Sequence, residues 1–111
     1  MNRIAMSQAA AALLRALVAR SGVDRERILL IGLESVDWQS LTFNGERHEI
    51  SLGVMGPGSR AIADRICDGI EDAEFTIRGV IVADIGRAGE IEQAPDGSAI
   101  LMIEALTVRE D

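Results

Sequence analysis

Few residues in this chain have side chains that could do chemistry, and their spacing does not gather them. There is one histidine, His48, and one cysteine, Cys67. A thiol nucleophile needs a base and a third group to orient it, and no such group accompanies either residue. Cys67 falls in the apolar stripe of a helical pattern, where a small buried thiol is the ordinary expectation. His48 sits on an extended segment and is expected to be a partly buried, hydrogen-bonded histidine. Metal centres need clustered His, Cys or carboxylate ligands. Asp64, Asp68, Glu71 and Asp72 are close in sequence, but they decorate the outer side of the same helix as solvated acids. The run Gly53-Val-Met-Gly-Pro-Gly58-Ser59 has the glycines of a phosphate loop without its Gly-Lys-Ser/Thr ending. It is expected to be a tight strand-to-helix turn with Ser59 as a cap. The sequence therefore assigns no catalytic residue, no cofactor and no metal, and an enzyme is the last of the function classes it supports.

Composition narrows the classes further. A chain of 111 residues suits one domain, residues 1–111, with a core of about two-thirds of its unfolded surface. There is no lysine and the formal charge is −7. The arginines are interleaved with acids, and only Trp38, Phe43 and Phe75 are aromatic. Phosphate contacts need clustered cations and single strands need stacking platforms, so nucleic acid is not expected as a direct partner. No apolar run approaches the roughly 18 residues of a membrane span. The N-terminal stretch, with Gln8 and Arg15 interrupting it, is expected to be an amphipathic helix and not a signal peptide. A lone cysteine fits a reducing compartment, and a cytoplasmic location is expected.

The elements that must position these residues follow from local signals. Ser7 is an N-cap, and Ala10, Leu13, Leu14, Leu17 and Val18 recur at helical spacing until Gly22, which predicts a first helix over Ser7 to Ser21. Arg27 to Leu33 is a short apolar run, read as a buried strand. Asn44-Gly45 is the strongest two-residue hairpin signal. With those two residues in the turn, Phe43 faces Glu46, Leu41 faces His48, Gln39 faces Ile50 and Asp37 faces Leu52. Leu41, Phe43, Ile50, Leu52 and Val54 then share a face, covered by Ile62, Ile66 and Ile70 of a second helix. A long strand is predicted over Glu74 to Ile85, with a bulge at Gly79. A polar loop closed by Pro95-Asp96-Gly97 follows, and a last strand over Ser98 to Val108. The predicted order is α-β-β-β-α-β-β, an α+β fold with two helices packed on a mostly antiparallel sheet.

Two features of this pattern point to protein contacts. Trp38 shares its strand face with Arg47, Glu49 and Ser51, away from the core, as a candidate interface anchor with Arg47 beside it; the alternative is that the first helix or a shifted register covers it. The last strand is apolar on both sides, with Leu101, Ile103 and Ala105 opposite Ile100, Met102, Leu106 and Val108. Such a strand is central, or one side meets the first helix or another subunit, which makes Leu101 and Ile103 further interface candidates.

The segments VDWQSLTFNGERHEISLGVM, RAIADRICDGIEDAEFTIRG, VIVADIGRAG, APDGS and AILMIEALTV, taken together, resemble the small tail-completion or tail-terminator-like proteins of siphophages and gene-transfer agents. The residues that carry the resemblance are Trp38, Thr42, Phe43, Gly45, His48, Asp72, Ala73, Asp96, Gly97, Ala105, Leu106 and Thr107. It covers residues 36–110, and the first helix in position only. The family usually has a longer, proline-containing connection after that helix, where this chain has SGVDRERILLIGLES. The resemblance implies a non-enzymatic homo-oligomer, typically a hexameric ring at the head–tail junction, with tail-tube or head–tail connector proteins as partners and assembly into a particle. A second class stays open: a stand-alone bacterial homodimer that binds a small ligand or regulates.

Overall fold

The structure is a computed structural model that describes residues 6–110. The first five residues, part of the N-terminal stretch read above, and Arg3 among them, lie outside the described residues. Helix α1, Gln8–Ser21, forms where its local signals place it. The Ser7 hydroxyl accepts the Ala10 N–H at 3.1 Å, and Gly22 closes the helix in the left-handed region at φ 70°. The chain then runs through β1 (Ile28–Gln39), β2 (Asn44–Val54), α2 (Ser59–Cys67), β3 (Val80–Arg87), β4 (Glu92–Gln93) and β5 (Ala99–Arg109). The sheet order is β1-β2-β5-β3, antiparallel throughout, with β4 pairing the start of β5. This is the expected α+β class, a mostly antiparallel sheet with two helices.

Both helices lie on one face of the sheet. Their apolar stripes, Leu13 and Leu17 from α1 and Ile62, Ile66 and the following Ile70 from α2 and its end, close over Ile50, Leu52 and Val54 of β2 and Leu101 and Ile103 of β5. All are buried. At about 25 cal/mol per Å² of apolar surface removed from water, this shared core is the main stabilising contact of the fold.

Three expectations are corrected. The two strands predicted before α2's hairpin partner are one strand, so the order is α-β-β-α-β-β-β. β1 runs unbroken from Ile28 to Gln39 and accommodates its apolar run with a bulge between Leu30 and Gly32. Asn44-Gly45 is not the turn. Gln39 pairs with Asn44 and Trp38 with Gly45, and the connection is Ser40 to Phe43. There the Ser40 N–H donates to the Phe43 carbonyl at 2.9 Å, and the Phe43 N–H donates to the Ser40 hydroxyl at 3.1 Å. Gly45 serves a different need: a Cβ on it would stand 1.9 Å from the Thr107 carbonyl oxygen. Finally, the strand predicted from Glu74 begins only at Val80. Gly79, at φ 83°, makes a tight turn there and not a bulge, and the bulge lies between Val82 and Asp84.

Candidate interaction surface

Because the helices cover one face, the other is left open. The pairing assigns it Leu29, Glu34, Val36 and Trp38 of β1, Arg47, Glu49 and Ser51 of β2, Met102 and Glu104 of β5, and Ile81 of β3, and Ile31 in the bulge lies on the same side. Leu29, Ile31, Val36, Ile81 and Met102 are exposed there. Ile31 leans over Gly53, where a Cβ would meet its Cδ1 at 3.3 Å. The row Glu34–Glu49–Glu104 crosses this face, with Leu29, Ile31 and Met102 on one side of it and Val36, Trp38 and Ile81 on the other; beyond Trp38 the hairpin tip carries Leu41, fully exposed, and Phe43, 55% exposed. Large apolar side chains thus stand exposed on one sheet face and one loop.

Trp38 lies on this open face, as its parity predicts, half-buried and level with Gly45 and Val108 in the row across the sheet. Arg47 is exposed on the same face. Leu101 and Ile103 are not with them. At 1% and 0% exposure they are held in the chain's own core under the helices, because β5 is the central strand and its odd positions face inward. The structure thus brings Trp38 and Arg47 together and separates Leu101 and Ile103 from them. The tip residues Leu41 and Phe43 were assigned to the core face by the two-residue turn. A serine at the first position of a longer turn, here Ser40, was the available signal for placing them in the loop.

The other candidate residues take structural parts. His48 is 1% exposed on the helix-covered face. Its Nδ1 lies 2.7 Å from the Ser35 hydroxyl and its Nε2 2.9 Å from the Thr107 hydroxyl, so one ring joins β1, β2 and β5. Burial lowers its pKa below the ordinary value of 6.5, with the Glu46 carboxylate opposing in part. The Cys67 thiol is buried, and burial pushes its pKa up, away from the thiolate a nucleophile requires. The Gly56-Pro57-Gly58 turn is tied to Arg27, whose guanidinium donates to the Met55 carbonyl at 2.9 Å and to the Pro57 carbonyl. The Ser59 hydroxyl donates to the Gly97 carbonyl at 2.6 Å. Next to it, Ser98 donates its N–H and hydroxyl to Asp96 Oδ1 at 2.9 and 2.6 Å, and these bonds hold the Asp96 carboxyl below its usual range. A turn braced on its carbonyls beside a carboxylate is a joint between elements.

Among the described residues, no group of three or more His, Cys, Asp or Glu side chains could hold a metal ion. No described helix is long and apolar enough to cross a membrane.

No protein-family model matches the chain, and no curated protein matches it. Among solved structures, a chain of "Virion of native gene transfer agent (GTA) particle" is similar to it at 18% identity with a TM-score of 0.46, over 92% of this chain and 92% of that one.

Proposed function

We propose that this chain is a non-enzymatic structural subunit of a phage-like or gene-transfer-agent tail, which assembles with copies of itself into a ring at the head–tail junction. The observation that carries the reading is the open sheet face. One side of the sheet is closed by two helices, while the other carries exposed Leu29, Ile31, Val36, Ile81 and Met102, with Leu41 and Phe43 at the hairpin tip beyond it. A chain that acts by contact needs such a surface. The resemblance carried by Trp38, Phe43, Gly45, His48 and the residues around Asp96 and Ala105 supports the tail role. Tail-tube or connector proteins are the partners this reading implies. The acidic, lysine-free composition is compatible with a protein scaffold and unsuited to contact with DNA phosphates.

The test is the solution mass across a concentration series, followed by electron microscopy of the largest species. A hexamer, or a concentration-dependent approach to a closed ring, is the expected result. A chain that stays monomeric at every concentration overturns the reading, and a fixed dimer shifts it to the stand-alone regulatory or ligand-binding class.

A further inference from the structure

The hairpin tip is a projection, and the same molecule carries a groove suited to it at the other end of the same strand. The groove lies between α1 and the edge strand β1 and measures about 450 Å³. Leu14 and Val18 of α1 and Ile28 and Leu30 of β1 give it an apolar lining, and Arg15 and Arg25 are its charged members, with no acid among the lining residues. Neither arginine makes an ion pair among the described residues. The hairpin has the opposite sign. From Glu34 to Glu49 it carries four carboxylates, Glu34, Asp37, Glu46 and Glu49, against the single arginine Arg47. Asp37 and Glu46 pair with each other in the stem, separated from the tip by the Trp38–Gly45 and Gln39–Asn44 pairs.

We propose that the Leu41–Phe43 tip of one copy docks in the α1–β1 groove of a second copy. This deepens the ring reading and rests on it, by naming the contact that joins neighbouring subunits. The occupant is a second copy for two reasons on the molecule itself. An apolar tip on an acidic stem matches an apolar groove flanked by arginines, and complementary fields of this kind select partner and register. A chain cannot fill its own groove, because the twelve residues of β1 at about 3.3 Å each hold tip and groove more than about 30 Å apart. The contact is heterologous, with a different patch on each side, and a heterologous contact closes into a ring when its rotation divides the circle. Because β1 is an edge strand paired only with β2, its free backbone edge borders the groove and is open to the incoming hairpin.

The experiment uses the full chain with Cys67→Ala as background. Leu41→Cys and Ala11→Cys, the second in the groove, are prepared separately, mixed and oxidised, with Leu41→Cys plus Asp96→Cys as the control mixture. Ala11 lines the groove and is small, so the change is mild. The tip and groove cysteines should join about tenfold faster than the control pair or more, because docking raises their effective concentration. In parallel, Leu41→Ser/Phe43→Ser, at exposed positions that leave the core untouched, should shift assembly to at least about tenfold higher concentration, the effect of losing about 1.4 kcal/mol per contact. Cross-linking of the tip mainly to itself, or equally to Asp96→Cys, overturns the proposal. So does assembly of the serine variant at the concentration the unaltered chain needs, and in that case the ring reading stands while this contact falls. An unaltered chain that never leaves the monomer overturns both.

Discussion

Gly45 lies against the backbone of Thr107 so closely that a Cβ at position 45 would stand 1.9 Å from the Thr107 carbonyl oxygen. The glycine is needed for the approach of β2 to β5, and its φ is not in the left-handed region. Gly45→Ala should therefore destabilise at or above about 3 kcal/mol, the top of the range for overpacking, since a backbone carbonyl cannot move aside as a side chain can. Asn44→Ala, at an exposed position at the end of the hairpin pairing, should stay within about 0.5 kcal/mol. Denaturant melts of the two variants measure the contrast. Equal, modest losses at both positions would instead describe a turn built on Asn44-Gly45.

The ring of His48 bridges hydroxyls on two other strands, and its burial sets a pH dependence. Its folded pKa is lowered from 6.5, so above that pH neither the folded nor the unfolded chain binds a proton there. As pH falls below about 6.5, the unfolded chain takes up the proton first, and stability declines until the lowered folded pKa is passed. His48→Gln should be less stable at neutral pH and should show a shallower loss between neutral and mildly acid pH. Thermal melts of both proteins over that range check it, and parallel pH slopes would remove His48 from the account.

How far the fold could be read from sequence depended on whether the signals were local. Helix α1 was legible because Ser7 and Gly22 are caps in the chain itself. β5 was legible because it carries no bulge and its odd positions from Ala99 to Thr107 are all buried. The hairpin register was wrong by six residues, since Asp37 faces Glu46 and not Leu52. An even shift returns each side chain to the same face, which is why Trp38 was placed on the open face despite the wrong partner. The demand on Gly45 comes from Thr107, more than sixty positions away, and no local pattern carries it. The bulge between Val82 and Asp84 likewise has no local signal, and puts Ile81 on the open face and Ile85 in the core.

The same distinction decides Leu101 and Ile103. Alternation shows that they share a side of β5, but only the position of the helices shows which side is the interior. Leu101→Ala and Ile103→Ala should each cost about 2 to 5 kcal/mol, as buried aliphatic truncations do. The loss should be the same at low and high protein concentration. A loss that disappears in dilute protein would mean that their cover is another subunit.

The two helices are joined at their C-terminal ends by arginines that cap each other's helix. Arg20, in the last turn of α1, donates from Nε to the Ile66 carbonyl at 3.0 Å and from Nη2 to the Asp68 carbonyl at 2.7 Å. Arg65, near the end of α2, donates from Nη1 to the Ser21 carbonyl at 2.8 Å. Carbonyls at a helix end lack partners within the helix and carry its negative dipole end, so a cation from the neighbouring helix meets both needs at once. Arg20→Met and Arg65→Met should each lose about 1 to 2 kcal/mol, less than a fully buried charged hydrogen bond because these groups are partly exposed. Arg20→Lys should recover only part of its loss, since one ammonium cannot reproduce the fork that reaches two carbonyls. Hydrogen exchange provides the local check. The amides of the last turn of α2 should lose protection in Arg20→Met while the amides in the middle of β5 keep theirs, and a uniform loss across both would mean that Arg20 serves the whole core and not the helix end.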